Sequence, residues 1–187
     1  LAPGFYGRME AGLLEPFFAG ISGEILYKPI RLPFALGVDI HRVQKRDYDM
    51  RFDLRDYSMN LGHLSVYYDA GGMFKIEVNA GRYLAGDWGL TTTISRKFGS
   101  GWEVGGYATL TDVPFSTFGE GSFDKAIYVS VPIDWIISSP NLTRRRLTLR
   151  PITRDGGAQL SSARQLYRDI ENSQNASVKR EFGRLWK

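Results

Sequence analysis

An all-β antiparallel fold is predicted, and three features carry the prediction. Large apolar residues alternate with small or polar ones along most of residues 1–143, which is the period of a strand with two unlike faces. Clusters of Gly, Pro, Asp and Ser separate the runs, as turns between strands require. Composition agrees, since 21 glycines and 13% aromatic residues suit strands joined by tight turns.

The strands follow in order. Two fall at about Phe5–Leu13 and Gly23–Arg31. Phe34, Leu36, Val38 and Ile40 then alternate with Ala35, Gly37, Asp39 and His41. The next, Tyr57–Tyr68, breaks phase, because Met59 and Leu61 oppose Leu64, Val66 and Tyr68; a bulge near Gly62 would restore it. Phe74, Ile76, Val78 and Ala80 alternate with Lys75, Glu77, Asn79 and Gly81, and Leu90, Thr92 and Ile94 with their neighbours. Trp102–Leu110 and Ile127–Trp135 complete about eight strands, with no helix among them. Pro132 cannot donate to a ladder, so its strand is expected to be an edge or to bulge there.

The alternation fits two architectures. A soluble sandwich buries the apolar face; a membrane β-barrel turns that face to lipid and lines a lumen with the polar one. Strands of about nine to eleven residues match a tilted crossing of a bilayer. Trp102 and Trp135 sit near strand ends on the apolar face, where an aromatic girdle belongs. Short links near residues 32–33, 69–72, 98–101 and 138–140 alternate with long ones near 14–22, 46–56, 83–89 and 113–125, a loop pattern of outer-membrane barrels. An outer-membrane β-barrel, or part of a larger one, is therefore expected over residues 1–139, followed by a basic helical tail over 140–187 on the periplasmic side.

Charge divides at the same place. Residues 144–187 hold eleven Lys or Arg and four Asp or Glu, which leaves thirteen basic and sixteen acidic in residues 1–143. The Arg-rich stretch at Arg144, Arg145, Arg146, Arg150 and Arg154 can meet an acidic polymer, although a solvated face is the simpler role. Ala163, Leu166, Tyr167 and Ile170 have helical spacing, with Ser162 and Gln165 at capping-box spacing. Val178, Phe182, Leu185 and Trp186 repeat the pattern more weakly. Such a helix must cover the barrel rim, its lumen or a partner, and docking on its own chain is the expected outcome. No run of 18 apolar residues marks a membrane helix, and LAPGFYGRMEAG lacks the pattern of a signal peptide. The start is expected to be that of a mature or trimmed chain.

Several segments occur together in one order: GEILYKP (23–29), RDYDMRFDLRDY (46–57), GHLSVYYD (62–69), GRYLAGDWG (81–89), TDVPFSTFGEGSFDKAIYVSVP (111–132) and LRPITRDGGAQL (149–160). On these segments the sequence resembles the C-terminal part of the YjbH/GfcD family, Gram-negative outer-membrane lipoproteins linked to exopolysaccharide and capsule production. Family members are several times longer and begin with a lipidated cysteine, whereas this chain has no cysteine. The resemblance implies an outer-membrane β-barrel with a role in polysaccharide export or assembly, and no known catalytic activity. The partners it implies are polysaccharide, outer-membrane lipids and other export proteins, with no nucleic acid.

Sugar hydroxyls accept and donate hydrogen bonds while sugar C–H faces stack on aromatic rings. Candidate lumen contacts are therefore Asp39, Glu77, Asn79, Arg82, Tyr107 and Asp134, and candidate rim contacts are Glu120, Asp124 and Lys125, with structural salt bridges as the simpler role for the rim charges. Catalysis has little support. His63 and Ser65 share a strand face, but such neighbours stand about 6.6–7 Å apart along a strand and a nucleophile–base pair needs roughly 2.6–3.2 Å. His41 can approach His63 across strands, yet two histidines without HExxH spacing make a poor metal site. YLAGDWG (83–89) matches no phosphate loop. A non-enzymatic protein without cofactor or metal is expected. A soluble periplasmic carbohydrate-binding sandwich and an outer-membrane barrel hydrolase are the alternatives.

Overall fold

The computed structural model describes residues 3–48, 53–71, 73–114, 123–132, 144–150, 156–160 and 165–171. Nine strands form one antiparallel sheet in which chain order equals spatial order. They are β1 (Phe5–Glu15), β2 (Phe18–Tyr27), β3 (Phe34–Arg46), β4 (Leu54–Ala70), β5 (Phe74–Arg82), β6 (Trp88–Lys97), β7 (Glu103–Thr111), β8 (Asp124–Pro132) and β9 (Arg144–Leu149). One short helix, α1 (Gln165–Glu171), follows. The all-β antiparallel expectation is met. No helix among the described residues is long and apolar enough to cross a membrane.

The two faces of the sheet are inverted relative to a soluble protein. Ser22, Glu24, Asp39, His41, His63, Ser65, Asn79, Thr91, Ser95, Glu103, Thr109, Asp124 and Ser130 are buried. Ile21, Ile25, Val38, Ile40, Leu64, Val66, Ile94, Leu110 and Ile127 are exposed. Registers show why each set shares a face: Glu24 pairs with Asp39, Asp39 with His63, Ser65 with Asn79, Asn79 with Thr91, and Thr91 with Thr109. Side chains alternate along a strand, so this run of partners forms one polar inner face. The apolar residues between them form the outer face.

Four sequence expectations are corrected. No bulge occurs at Gly62: β3 and β4 stay in register from Gln44↔Ser58 to Phe34↔Tyr68, and the irregularities lie instead between Gln44 and Arg46 and between Leu13 and Glu15. Leu61 breaks phase because it faces inward, where it packs with Val43 and Leu160. The strand holding Pro132 is not an edge, for β8 lies between β7 and β9; Pro132 is its last residue and lies beyond Ser130, where the pairing with β7 ends. The sheet also continues past residue 139, since β9 pairs with β8 from Pro132↔Arg144 to Ile127↔Leu149. Finally, the connections do not alternate in length as expected. Pro16 and Phe17 alone join β1 to β2, where a long loop was expected, while Lys28–Pro33 join β2 to β3.

The C-terminal segment lies on the inner face, which answers what the amphipathic helix covers. Tyr167 stacks on Tyr67 with centroids 3.8 Å apart and planes 5° from parallel. It is buried with Leu26 and Ala35, and Tyr6, Leu166 and Ile170 pack around them. The Leu166 N–H points to the Glu24 carboxylate at 3.2 and 3.3 Å, so an orphan donor of the first helical turn meets an anion. Upstream, the Gly157 N–H donates to Asp87 Oδ2 at 2.8 Å and the Leu84 N–H donates to Ala158 O at 2.9 Å. Gly157 has φ +69°, and a Cβ there would stand 2.9 Å from the Thr109 side chain, so only glycine lets the chain pass this close to β7. The second weak helix, with Val178, Phe182, Leu185 and Trp186, lies outside the described residues, as do Ser162, Ala163 and Trp135.

Two substitutions test this packing. A Cβ at Gly81 would stand 2.0 Å from Gly62 O and 2.7 Å from His63 Cα, whereas one at Gly99 meets nothing within 4 Å. Gly81→Ala is expected to lower the unfolding free energy by about 1–3 kcal/mol, with Gly99→Ala near neutral, as read from denaturant midpoints. Tyr167→Ala removes a buried ring and its stack, an effect of about 3–5 kcal/mol for a large aromatic. Hydrogen exchange of the α1 amides should accelerate accordingly, while the β5–β7 amides keep their protection.

Candidate functional site

The inner faces of β5 to β9 and the segment 156–159 enclose a cavity of about 820 Å³. Strand alternation decides its lining: Lys75 and Glu77 come from β5, Thr91, Thr93 and Lys97 from β6, Glu103, Tyr107 and Thr109 from β7, Asp124, Tyr128 and Ser130 from β8, and Arg146 and Thr148 from β9. Gly156–Gln159, Arg150 and Arg168 close it. The lining thus carries five cationic side chains, Lys75, Lys97, Arg146, Arg150 and Arg168, against the three carboxylates Glu77, Glu103 and Asp124.

Most of these groups are held by neighbours. The Tyr128 hydroxyl donates to Glu103 Oε1 at 3.2 Å, and the Arg146 guanidinium lies 4.1 Å from the centre of the Tyr128 ring, a cation–π distance. Tyr107 interacts through its hydroxyl with Asp124 and Arg150. Tyr83, Thr91 and Thr109 form a rung of hydroxyls at 2.7 and 2.8 Å, and Gln159 Nε2 donates to Thr91 Oγ1 at 3.3 Å. At the rim, burial pulls the Lys28 ammonium below its ordinary pKa while the Asp69 carboxylate opposes the shift. The Lys28 amine donates to Leu32 O at 2.8 Å.

The candidate residues from the sequence separate into groups. Glu77, Tyr107, Asp124, Arg146 and Arg150 line the cavity together. Asn79 is on the same face, and its Nδ2 donates to Glu77 Oε1 at 3.1 Å. Arg82 does not join them. It continues the parity of Phe74, Ile76 and Val78 on the outer face, and its Nε donates to Gly86 O at 3.1 Å. Lys125 is likewise one residue out of phase with Asp124, and its ammonium lies 4.8 Å from the centre of the Phe123 ring. Arg145 pairs with Val131, off the inner face that Arg146 shares with Ser130. Glu120, Asp134 and Arg154 lie outside the described residues, as does the Arg144 side chain.

Asp39 stands apart from the cavity. Its Oδ2 accepts from His41 Nε2 at 2.7 Å and from His63 Nδ1 at 2.9 Å, with all three side chains 1% exposed. The Tyr83 ring meets His63 edge-on at 5.2 Å. Sequence spacing understated this cluster, because Asp39 and His63 meet only through the β3–β4 register. It missed the loop 83–87 as well, whose role is to clasp the C-terminal segment. The signal for Asp39 was an Asp-x-His pair, two residues on one strand face.

The family model YjbH, described as exopolysaccharide biosynthesis protein YbjH, matches residues 1–172. The uncharacterized lipoprotein YjbH of Escherichia coli (strain K12) is 44% identical over 172 residues, covering 89% of this chain and 25% of that protein. The chain thus spans about a quarter of the length of this relative. No solved structure matches. The chain belongs to the YjbH exopolysaccharide biosynthesis family.

Proposed function

We propose that the chain is part of the wall of an outer-membrane β-barrel that serves exopolysaccharide export or assembly without catalysing a reaction. The observation that carries this reading is the inversion of the sheet. Exposing Ile25, Val38, Ile40, Leu64, Val66 and Ile127 to water would forfeit about 1.5–3 kcal/mol for each large side chain, whereas facing lipid avoids that loss. The inner cavity supplies what a hydrated polymer needs: carboxylates and guanidiniums for hydroxyls, and the Tyr107 and Tyr128 rings for C–H faces. A relative named only as a lipoprotein is consistent with an envelope location. The hydrolase alternative gains nothing from the site: Asp39 orients His63 through Nδ1, but His63 Nε2 and Ser65 Oγ are each without a hydrogen-bond partner, so the base does not meet the hydroxyl it would have to deprotonate.

Two experiments test the proposal. Native protein in Gram-negative cells should sediment with the outer membrane, and unboiled samples should migrate differently from boiled ones. Val66→Arg should then lower stability in lipid vesicles by up to about 2–4 kcal/mol, less toward the bilayer interface. A protein recovered without detergent, indifferent to boiling and tolerant of Val66→Arg, would overturn the membrane assignment. For the polymer, Arg146→Gln with Arg150→Gln should weaken binding of an acidic polysaccharide roughly three- to tenfold at low salt, with the difference shrinking as salt rises. Equal binding by wild type and the double variant at low salt would remove these arginines from the site.

A further inference from the structure

We propose that Asp39, His41 and His63 bind a first-row divalent cation of the zinc class, with Asp39 Oδ2, His41 Nε2 and His63 Nδ1 as ligands. The inference is independent of the membrane reading, because it rests on the inner face alone. One ligand atom from each residue lies within 4.8 Å of the others, and all three residues are buried. Two imidazole nitrogens and a carboxylate oxygen form a donor set that suits zinc and its neighbours rather than calcium or magnesium, which prefer all-oxygen ligands.

Hydrogen bonding within the cluster does not satisfy it. Asp39 Oδ1, His41 Nδ1 and His63 Nε2 are buried with no hydrogen-bond partner, and so are Ser65 Oγ and Asn79 Oδ1 on the same face. Each such atom costs about 1–3 kcal/mol when left dry, and these five fall on the three consecutive strands β3, β4 and β5. A metal rearranges the set productively. Metal–ligand bonds of about 2.0–2.1 Å in tetrahedral geometry separate the ligand atoms by roughly 3.3 Å. The present 2.7 and 2.9 Å contacts therefore open by about half an ångström, while the two imidazole nitrogens, within 4.8 Å of each other, settle at the same spacing. Coordination through one nitrogen leaves the other as an N–H donor. Ser65 Oγ and Asn79 Oδ1, unpartnered on the same face, are the acceptors such a donor would need a small shift to reach.

The surroundings keep the cluster shielded. Gly81 sits directly opposite His63, so no side chain crowds the imidazole from that strand. Along β3 and β4 the cluster lies between two apolar patches, Val43 and Leu61 on one side and Ala35 and Tyr67 on the other, which hold Leu160 and Tyr167 of the C-terminal segment. Three protein ligands leave a fourth position for water or for a group of a bound molecule.

The test uses the purified native chain, stripped with a chelator and dialysed against zinc alone. Elemental analysis should find about one zinc per chain, as a three-ligand site predicts. Cobalt in place of zinc should give the visible absorption of a low-coordinate site with nitrogen ligands. Asp39→Asn and His63→Gln should each reduce metal retention at least roughly tenfold, with circular dichroism confirming the strands. No zinc retained by stripped wild-type protein overturns the proposal, as does equal retention by a folded His63→Gln variant. If both variants fail to fold, the cobalt spectrum of the wild type decides, because a spectrum of hexa-aquo cobalt alone would also overturn it.

Discussion

The polar inner face governs the rest of the structure. A sheet that buries Ser, Thr, Asn, His, Asp and Glu side chains must satisfy them away from bulk water, since an unpaired buried polar group costs about as much as several good hydrogen bonds return. Part of the solution is lateral: the rung from Tyr83 through Thr91 to Thr109 bonds hydroxyls across adjacent strands. Another part comes from the C-terminal segment, whose Gly157 N–H and Gln159 amide donate to Asp87 and Thr91. The segment is thus a layer that the inner face requires, in place of the second sheet or helix that an ordinary antiparallel sheet uses on its apolar side.

Its position is fixed by exceptions to the polar rule. Leu26, Ala35 and Tyr67 interrupt the inner face at one place, Val43 and Leu61 at another, and these are the two places where Tyr167 and Leu160 dock. Apolar contact supplies the adhesion, and the Glu24 carboxylate beneath the first turn of α1 supplies the direction. Between the docking points lies the Asp39 cluster; beyond them, across β5 to β9, lies the cavity with its excess of cations.

Alternation made most of the sheet legible in the sequence, because a strand with unlike faces writes its period directly into the chain. The phase of Asp39, Glu77 and Tyr107 followed from that period, whereas Asp124 was expected in a rim loop and is the first residue of β8. Which face is buried did not follow from alternation, which fits a sandwich and a barrel alike, and the loop lengths that favoured a barrel do not alternate. What failed were inferences that need a partner to be known. Leu61 looked like a register error because the residue it packs on, Leu160, is about a hundred positions away in the chain and no local pattern links them. β9 looked like tail because RRRLTL opens with three arginines, with Arg145 and Arg146 on opposite faces, so no alternation marks it and only its pairing with β8 reveals the strand. The Asp39–His63 contact was hidden for the same reason, since register across two strands is a tertiary fact.

A lipid-facing sheet cannot leave strand edges open, because unpaired N–H and C=O groups find no water in the hydrocarbon region. Among the described residues β1 and β9 each have one neighbour. Their outer edges therefore need pairing if the outer face of the sheet meets lipid. The two edges are unlike in what they offer. β1 is an eleven-residue strand with Phe5, Met9 and Leu13 exposed on the apolar side, long enough to carry a membrane-crossing ladder. β9 has six residues and begins with three arginines, the charge that keeps a free edge from pairing indiscriminately in water. If the outer face meets lipid, length and apolarity make β1 the edge suited to pairing within the bilayer. The arginines of β9 then suit its polar boundary, and Arg146, over the Tyr128 ring, faces the cavity and not the outer side.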